Sequence, residues 1–79
     1  IYPRSAQRRG VQGYCIVEYT VTKNGSTRDS KAIDCDPQGY FEKASVKASL
    51  KYKYNPRVVV GEPTEVAGVR NKFTYTLEQ

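Results

Sequence analysis

The sequence contains no histidine, tryptophan or methionine, and only two cysteines among its 79 residues. Without histidine, the chain lacks the commonest general base and the commonest metal ligand of proteins. Cys15 and Cys35 alone do not supply the group of thiolates and imidazoles that a zinc site requires. These absences predict a protein that is not an enzyme and that carries no metal or cofactor.

Several recognisable segments are also missing. The chain has neither a GxxxxGK[ST] phosphate loop nor a GxGxxG motif. No apolar run approaches the ~20 residues that span a bilayer, and the polar start does not resemble a signal peptide. Because the sequence begins at Ile1 rather than Met, we expect residues 1–79 to be a single domain from a longer protein.

Positive charge is in excess, with 13 Lys and Arg against 8 Asp and Glu and a net charge of +5. An ordinary soluble surface explains this excess, and so does attraction to an acidic partner such as nucleic acid, an anionic membrane or a protein. The four acidic residues Asp29, Asp34, Asp36 and Glu42 are expected to be solvated or to lie at a helix start, because raising a carboxylate pKa for catalysis needs burial.

The clearest strand signal lies between Tyr14 and Thr22, where apolar and polar residues alternate. A turn signal, Lys-Asn-Gly ending at Gly25, follows it, and a more polar second strand runs from Thr27 to Cys35. A two-residue Asn-Gly loop would place Ala32 and its alternates on the apolar face. A three-residue loop with Gly25 left-handed would instead place Ile33 and Cys35 there, and burial favours this second register.

Two helices and a final strand complete the pattern. Tyr2–Gly10 predicts one or two helical turns, with Pro3 as the first helical residue and Gly10 just after the end. Tyr40–Lys53 has helical periodicity, and Arg57–Val66 is expected to be a loop whose valines pack over the core. From Val69 the chain alternates again. The predicted class is α+β, in the order α-β-β-α-β, with a three-stranded antiparallel sheet and both helices packed on one of its faces.

The two cysteines lie on one face of adjacent strands in the favoured register, either directly or diagonally across from each other. A direct pair meets the Cα separation that a disulfide requires. The sequence therefore predicts a possible disulfide between Cys15 and Cys35 in an oxidising compartment, and two small buried thiols otherwise.

Two classes of function fit the predicted elements. In the first, the final strand has one edge that no remaining segment covers, and this edge captures an extended peptide by strand addition. In the second, basic residues interleaved with tyrosines form a nucleic-acid surface. The aromatic residues on the apolar rows are expected to be core, and no RNP-type motif is present, which favours the first class.

Three stretches carry a resemblance to a known family: YPRSAQRRGVQGYCIVEYTVTKNGST, GYFEKASVKASLKYKYNP and VGEPTEVAGVRNKFTYTL. They match, in order, a Tyr-Pro opening with a glycine-bounded helix exit, a central helix ending aromatic-x-aromatic-x-Pro, and a Gly-x-Pro loop before an alternating strand. The sequence thereby resembles the C-terminal domain of TonB, the periplasmic energy transducer of Gram-negative bacteria. Tyr52 stands where the family usually has Trp. A TolA-like periplasmic coupler is the nearest alternative.

The resemblance implies a periplasmic domain of a protein anchored in the inner membrane. Its absent N-terminal part would associate with ExbB and ExbD, and the domain would couple proton-motive force to outer-membrane receptors that import iron–siderophore complexes, haem or vitamin B12. The receptor's Ton box would pair with the last strand, and the opening segment would also contact the receptor. We expect a monomer that does not bind nucleic acid. The implied site residues are Val69, Arg70, Asn71, Lys72, Phe73, Thr74, Tyr75, Thr76 and Leu77, together with Ile1, Tyr2, Pro3 and Arg4.

Overall fold

The secondary structure follows the predicted order of helix, hairpin, helix and strand, with one additional short hairpin before the last strand. The computed structural model describes residues 2–55 and 57–77. Its elements are α1 (Arg4–Arg9), β1 (Gly13–Val21), β2 (Thr27–Asp36), α2 (Glu42–Ser49), β3 (Arg57–Val59), β4 (Glu62–Thr64) and β5 (Val66–Tyr75). No helix among the described residues is long and apolar enough to cross a membrane.

A three-stranded antiparallel sheet in the order β2-β1-β5 forms the centre of the fold. Alternate residues of β1, from Cys15 to Val21, are buried on one face of the sheet. Both helices cover that face, because Ala6 of α1 packs near Cys15, and Val46 of α2 packs against the row from Val17 to Val21. The α+β class and the single helical face are therefore confirmed.

The turn between β1 and β2 has the predicted three-residue form. The Thr22 amide donates to the Ser26 carbonyl at 2.8 Å, so Lys23, Asn24 and Gly25 make up the loop. Gly25 has φ 83°, a left-handed conformation that glycine adopts without steric cost.

The second strand is irregular, and one predicted feature of its register is wrong. Cys15 pairs directly with Cys35, but Val17 pairs with Ala32, so Ile33 is an extra residue in β2. A second irregularity lies near Asp29, which has φ 54°. One added residue turns every following side chain to the opposite face of the sheet. Between the two bulges, the side chains of β2 therefore point to the faces opposite to those that were predicted. Ile33, which was expected in the apolar row, is therefore 39% exposed.

A disulfide joins Cys15 to Cys35 across β1 and β2, with their Cα atoms 4.1 Å apart. Both cysteines are buried, and they form one core cluster with Ala6 and Phe41. The covalent bond therefore lies under α1 and the start of α2, where it contributes to the core as well as linking the strands.

The central helix is shorter than predicted. It runs from Glu42 to Ser49, not from Tyr40 to Lys53, and its buried residues are Ser45 and Ser49. After the helix ends, the Tyr54 amide donates to the Gly25 carbonyl at 2.7 Å. This hydrogen bond ties the segment after α2 to the β1–β2 turn, and a continued helix would not make it.

The first helix has its predicted end, but its start differs by one residue. Gly10 follows Arg9 with φ 69°, and its amide donates back into the helix. Pro3 is the extended residue before the helix, with ψ 137°, rather than its first helical residue.

Residues 57–64, expected to form a loop over the core, form a separate two-stranded ribbon. Val58 is 63% exposed and Val60 is 96% exposed, so the expected packing of these valines is wrong. The turn consists of Val60 and Gly61, both with positive φ, and this type of turn lets the two strands pair with each other.

Candidate functional site

The last strand, β5, is an edge strand of the sheet. It pairs with β1 along one side, and no strand pairs with its other side among residues 2–55 and 57–77. The strand begins at Val66, three residues before the predicted start at Val69. The early part was missed because a bulge at Ala67 and Gly68, where Gly68 has φ 69°, interrupts the alternation there.

The backbone direction along β5 follows from its pairing with β1. In an antiparallel strand, the N–H and C=O of one residue point to the same side, and the side alternates along the chain. The short Cα separation of Cys15 and Cys35 is typical of a pair without mutual backbone hydrogen bonds, so Cys15 directs its backbone groups toward β5. The Thr22–Ser26 hydrogen bond leads to the same assignment. It shows that Thr22 directs its backbone N–H toward β2, so the even-numbered residues of β1 do the same and the odd-numbered residues, including Cys15, direct their backbone groups toward β5.

This alternation assigns the two edges of β5. Phe73 is the partner of Cys15, so Phe73 and its alternates Asn71 and Tyr75 direct their backbone groups toward β1. The Leu77 amide fits the same pattern, since it donates inward to Gln12 Oε1 at 2.7 Å. Arg70, Lys72 and Thr74 therefore direct their N–H and C=O groups to the outer edge.

The same three outward-facing residues carry exposed side chains on the sheet face away from the helices. Arg70 Nε donates to Glu18 Oε2 at 2.9 Å. Lys72 Nζ lies 4.6 Å from the centre of the Tyr14 ring, a cation–π contact. Both basic side chains are thus held over β1, on the inner side of β5, and the charge of Arg70 is paired with that of Glu18.

The alternate residues of β5 pack under the helices. Tyr75 stacks on Phe41, with ring centres 4.3 Å apart, and its hydroxyl hydrogen-bonds Ser45 Oγ at 2.8 Å. Phe73 stacks on Tyr52 at 5.7 Å. These contacts fix the position of β5 against α2 and the residues that flank it.

The opening segment meets the last strand at this aromatic cluster. The Tyr2 ring lies edge-on to Phe41 at 5.8 Å and to Tyr75 at 5.7 Å, and its hydroxyl donates to the Val11 carbonyl. Pro3 and Arg4 follow at the start of α1. The two predicted parts of the site are therefore adjacent at Tyr2 and Tyr75, whereas Ile1 lies outside the described residues.

Four residues near this site were not predicted from the sequence. Gln12 holds Leu77, Tyr14 and Glu18 hold the basic side chains, and Glu65 pairs with Arg28 just before β5. Tyr14 and Glu18 could have been identified only from the register of β1 against β5. For Gln12 and Glu65 the sequence offers no signal, because their partners are far away along the chain.

Local electrostatics reflect these contacts. Two hydrogen bonds from Arg28 to Glu65, at 2.6 and 3.2 Å, raise the pKa of the guanidinium. Burial, followed by the hydrogen bond with Tyr54, raises the pKa of the Tyr19 hydroxyl. The backbone N–H of Gly39 lowers the pKa of Glu42. All three groups therefore keep one charge state near neutral pH, and none of them is poised for proton transfer.

One trio of potential metal ligands, Cys15, Cys35 and Glu42, lies close together in the described part of the chain. The two sulfur atoms are bonded to each other, and a disulfide lacks the thiolates that bind metal. The trio in this state does not fit a metal site.

Comparisons with known proteins agree on one family. The family model described as Gram-negative bacterial TonB protein C-terminal matches residues 1–77. Protein TonB of Pseudomonas aeruginosa is 34% identical over 62 residues, which cover 78% of this chain and 18% of that protein. The chain thus spans about a fifth of the length of this curated relative.

Two solved structures have the same fold. A structure of the TonB2 protein from Vibrio anguillarum superposes with a TM-score of 0.74 at 29% identity, and the match covers all of this chain and 74% of that one. A solution structure of the Pseudomonas aeruginosa TonB C-terminal domain gives a TM-score of 0.70 at 26% identity, covering 79% of its chain.

Proposed function

The chain belongs to the family of Gram-negative bacterial TonB protein C-terminal domains, and on this premise we propose that it is the receptor-binding domain of a periplasmic energy transducer. The domain receives the Ton box of an outer-membrane receptor at the outer edge of β5. Both the family model and the curated relative are TonB, which disfavours the TolA-like alternative.

The role of the whole protein extends this proposal. The segments that would precede the domain anchor it in the inner membrane and associate with ExbB and ExbD, which supply the proton-motive force. The receptors import iron–siderophore complexes, haem or vitamin B12. The domain works as a monomer, catalyses no reaction of its own and does not bind nucleic acid.

One observation carries the proposal: the outward-facing backbone groups of Arg70, Lys72 and Thr74. Three residues offer three donors and three acceptors in a straight row to an extended peptide. At about 0.5–1.5 kcal/mol net for each hydrogen bond, such a row contributes about 3–9 kcal/mol before the cost of ordering the peptide. This range suits a contact that forms and releases repeatedly.

The other edge strand of the sheet is a poorer template for a peptide. Two bulges, near Asp29 and at Ile33, interrupt the regular spacing of β2. Bulges at an edge disturb the row of backbone groups and are one way in which proteins avoid unwanted pairing. An incoming peptide strand therefore pairs with the edge of β5 more readily than with the edge of β2.

Hydrogen exchange of the amides in β5 tests the proposal directly. In the absence of peptide, the amides of Asn71, Phe73 and Tyr75 should exchange slowly, and those of Arg70, Lys72 and Thr74 should exchange fast. A saturating Ton-box peptide should slow the second set. If those three amides keep their fast exchange while the peptide is bound, strand addition at β5 is disproved.

Replacing Thr74 by proline offers a second test. The substitution deletes an outward-facing N–H but leaves the inward row to β1 intact, because Thr74 pairs with Tyr14 without exchanging backbone bonds. We expect peptide binding to weaken about tenfold. Thr74→Val keeps the N–H and the branched shape, so it is the matched control, and circular dichroism shows whether each variant is folded. Unchanged binding to a folded Thr74→Pro variant would contradict the proposal.

A further inference from the structure

The outer surface of α2 carries a straight row of lysines. Lys43 and Lys47 lie four residues apart in the helix, and Lys51 follows in the turn that closes it, where its amide donates to Ala48. All three side chains are exposed. Positions four apart fall on one side of a helix, so Lys43 and Lys47 project together. Lys51 borders the same surface hollow as Lys47, and we call the three residues the lysine ridge.

The lysine ridge separates two open hollows on the protein surface. On one side, Ala32 of β2 lies with Val46 and Leu50 of α2, and Leu50 is 51% exposed. Glu42 also lines this hollow, beside Lys43 and Lys47. On the other side, Pro3 lies with Ala44, Ala48 and Tyr52. Lys47 borders both hollows. The ridge is thus flanked by two hollows that contain apolar side chains, and the first hollow also contains the Glu42 carboxylate.

Within residues 2–55 and 57–77, no acidic side chain forms a salt bridge with any of the three lysines. The nearest carboxylate along α2, that of Glu42, is occupied by the Gly39 amide at 2.9 Å. Like charges four apart destabilise a helix, and this helix has only 8 residues. The row is therefore unfavourable for the isolated domain and becomes favourable beside negative charge.

The spacing of the lysines identifies the shape of a partner. Four residues of α-helix advance about 6 Å, and two residues of extended chain advance about 6.6 Å. Acidic residues at alternate positions of an extended segment would therefore meet successive lysines, while the residues between them would point away from the ridge. We propose that the lysine ridge binds an extended, acidic segment of a partner protein at a site separate from β5.

The test uses a soluble peptide with Glu and Val alternating over about seven residues, and a scrambled peptide of the same composition. The isotopically labelled domain is titrated with each peptide and followed by NMR. A first variant, Lys43→Gln with Lys47→Gln and Lys51→Gln, removes the ridge. A second variant, Lys23→Gln with Lys31→Gln and Lys53→Gln, removes the same charge from exposed positions elsewhere. Glutamine has nearly the helix propensity of lysine, so the first variant should fold.

The alternating peptide should shift the amides of Lys43–Lys51 most, and its affinity should fall about tenfold in the first variant but not in the second. Higher salt should weaken this binding. Shifts confined to β5, equal binding of the scrambled peptide, or equal loss in both variants would overturn the proposal. Vesicles of phosphatidylglycerol are the last arm. If the domain binds these vesicles through the lysine ridge but does not bind the peptide, the partner is a membrane surface and the peptide assignment is refuted.

Discussion

Two polar side chains link α2 to the strand that forms the candidate site. Ser45 is fully buried under the helix, and its hydroxyl hydrogen-bonds the hydroxyl of Tyr75. The helix therefore packs on the sheet through a small polar residue. Helical periodicity alone does not show which of two neighbouring residues is buried when both lie at the border of the apolar stripe.

A double-mutant cycle measures this link. Tyr75→Phe keeps the ring stacked on Phe41 and should lower the free energy of unfolding by about 0.5–1.5 kcal/mol, because Ser45 loses its partner. Ser45→Ala with Tyr75→Phe should cost less than the sum of the single changes, since no polar group is left unpaired. Denaturant unfolding of the four proteins gives the coupling, and strictly additive effects would contradict the hydrogen bond.

Glu42, the first residue of α2, should make stability depend on pH. The Gly39 N–H lowers its pKa from the ordinary value of 4.5. A carboxyl with a lowered folded-state pKa stabilises the fold above the ordinary pKa, and this contribution is lost as pH falls through the lowered value. Glu42→Gln should therefore cost about 0.5–1.5 kcal/mol at pH 7 and almost nothing near pH ~2.

The measurement for Glu42 is denaturant unfolding at a series of pH values. Glu62→Gln, which removes one exposed negative charge from β4, is the matched control. A Glu42→Gln variant whose stability differs from that of the wild type by the same amount at every pH would refute the assigned role.

At the scale of elements, the regular parts of the fold were predicted and the irregular parts were not. The alternation of β1 and the Lys-Asn-Gly turn ending at Gly25 were sufficient for the first strand and its turn. The bulge at Ile33 was not predictable, because an extra residue leaves the polar pattern of β2 almost unchanged. The reversal at Ile33 depends on the tertiary pairing of Ala32 with Val17, and local propensity carries no information about it.

The candidate site shows the same division. Alternation from Val69 to Leu77 located the last strand and its uncovered edge. Which of its amides face outward depends on the pairing of Phe73 with Cys15, and that pairing exists only in the folded sheet. The contacts of Arg70 with Glu18 and of Lys72 with Tyr14 were unpredictable for the same reason.

The ribbon of β3 and β4 carries a valine in an unfavourable conformation. Val60 has φ 51°, and a branched residue pays about 1–2 kcal/mol in this left-handed region. Val60→Asn should therefore raise the free energy of unfolding by about 1 kcal/mol and the Tm by roughly 4–8 °C. Val58→Asn, at an exposed position with ordinary φ, should change stability by less than about 0.5 kcal/mol. Thermal unfolding compares them, and a Val60→Asn variant no more stable than wild type would contradict the prediction.

At the scale of the whole molecule, the disulfide should be a major source of stability. It closes a loop with a sequence separation of 20 residues, and restricting such a loop in the unfolded chain is worth about 3 kcal/mol. Cys15→Ala with Cys35→Ala should lower the free energy of unfolding by about that amount in chemical denaturation. Intact-mass measurement without reductant should show the loss of two hydrogen atoms in the wild type. A full count of free thiols would disprove the bond.

The disulfide also determines how the chain responds to a pull. Tension applied ahead of Tyr2, against a peptide held on β5, would unravel α1 and then the first residues of β1. At Cys15 the load passes through the sulfur atoms to Cys35, so the hairpin between them is shielded from stretching. Under such a load the stretch from Cys15 to Cys35 cannot lengthen, so this part of the domain acts as a stiff link rather than a spring.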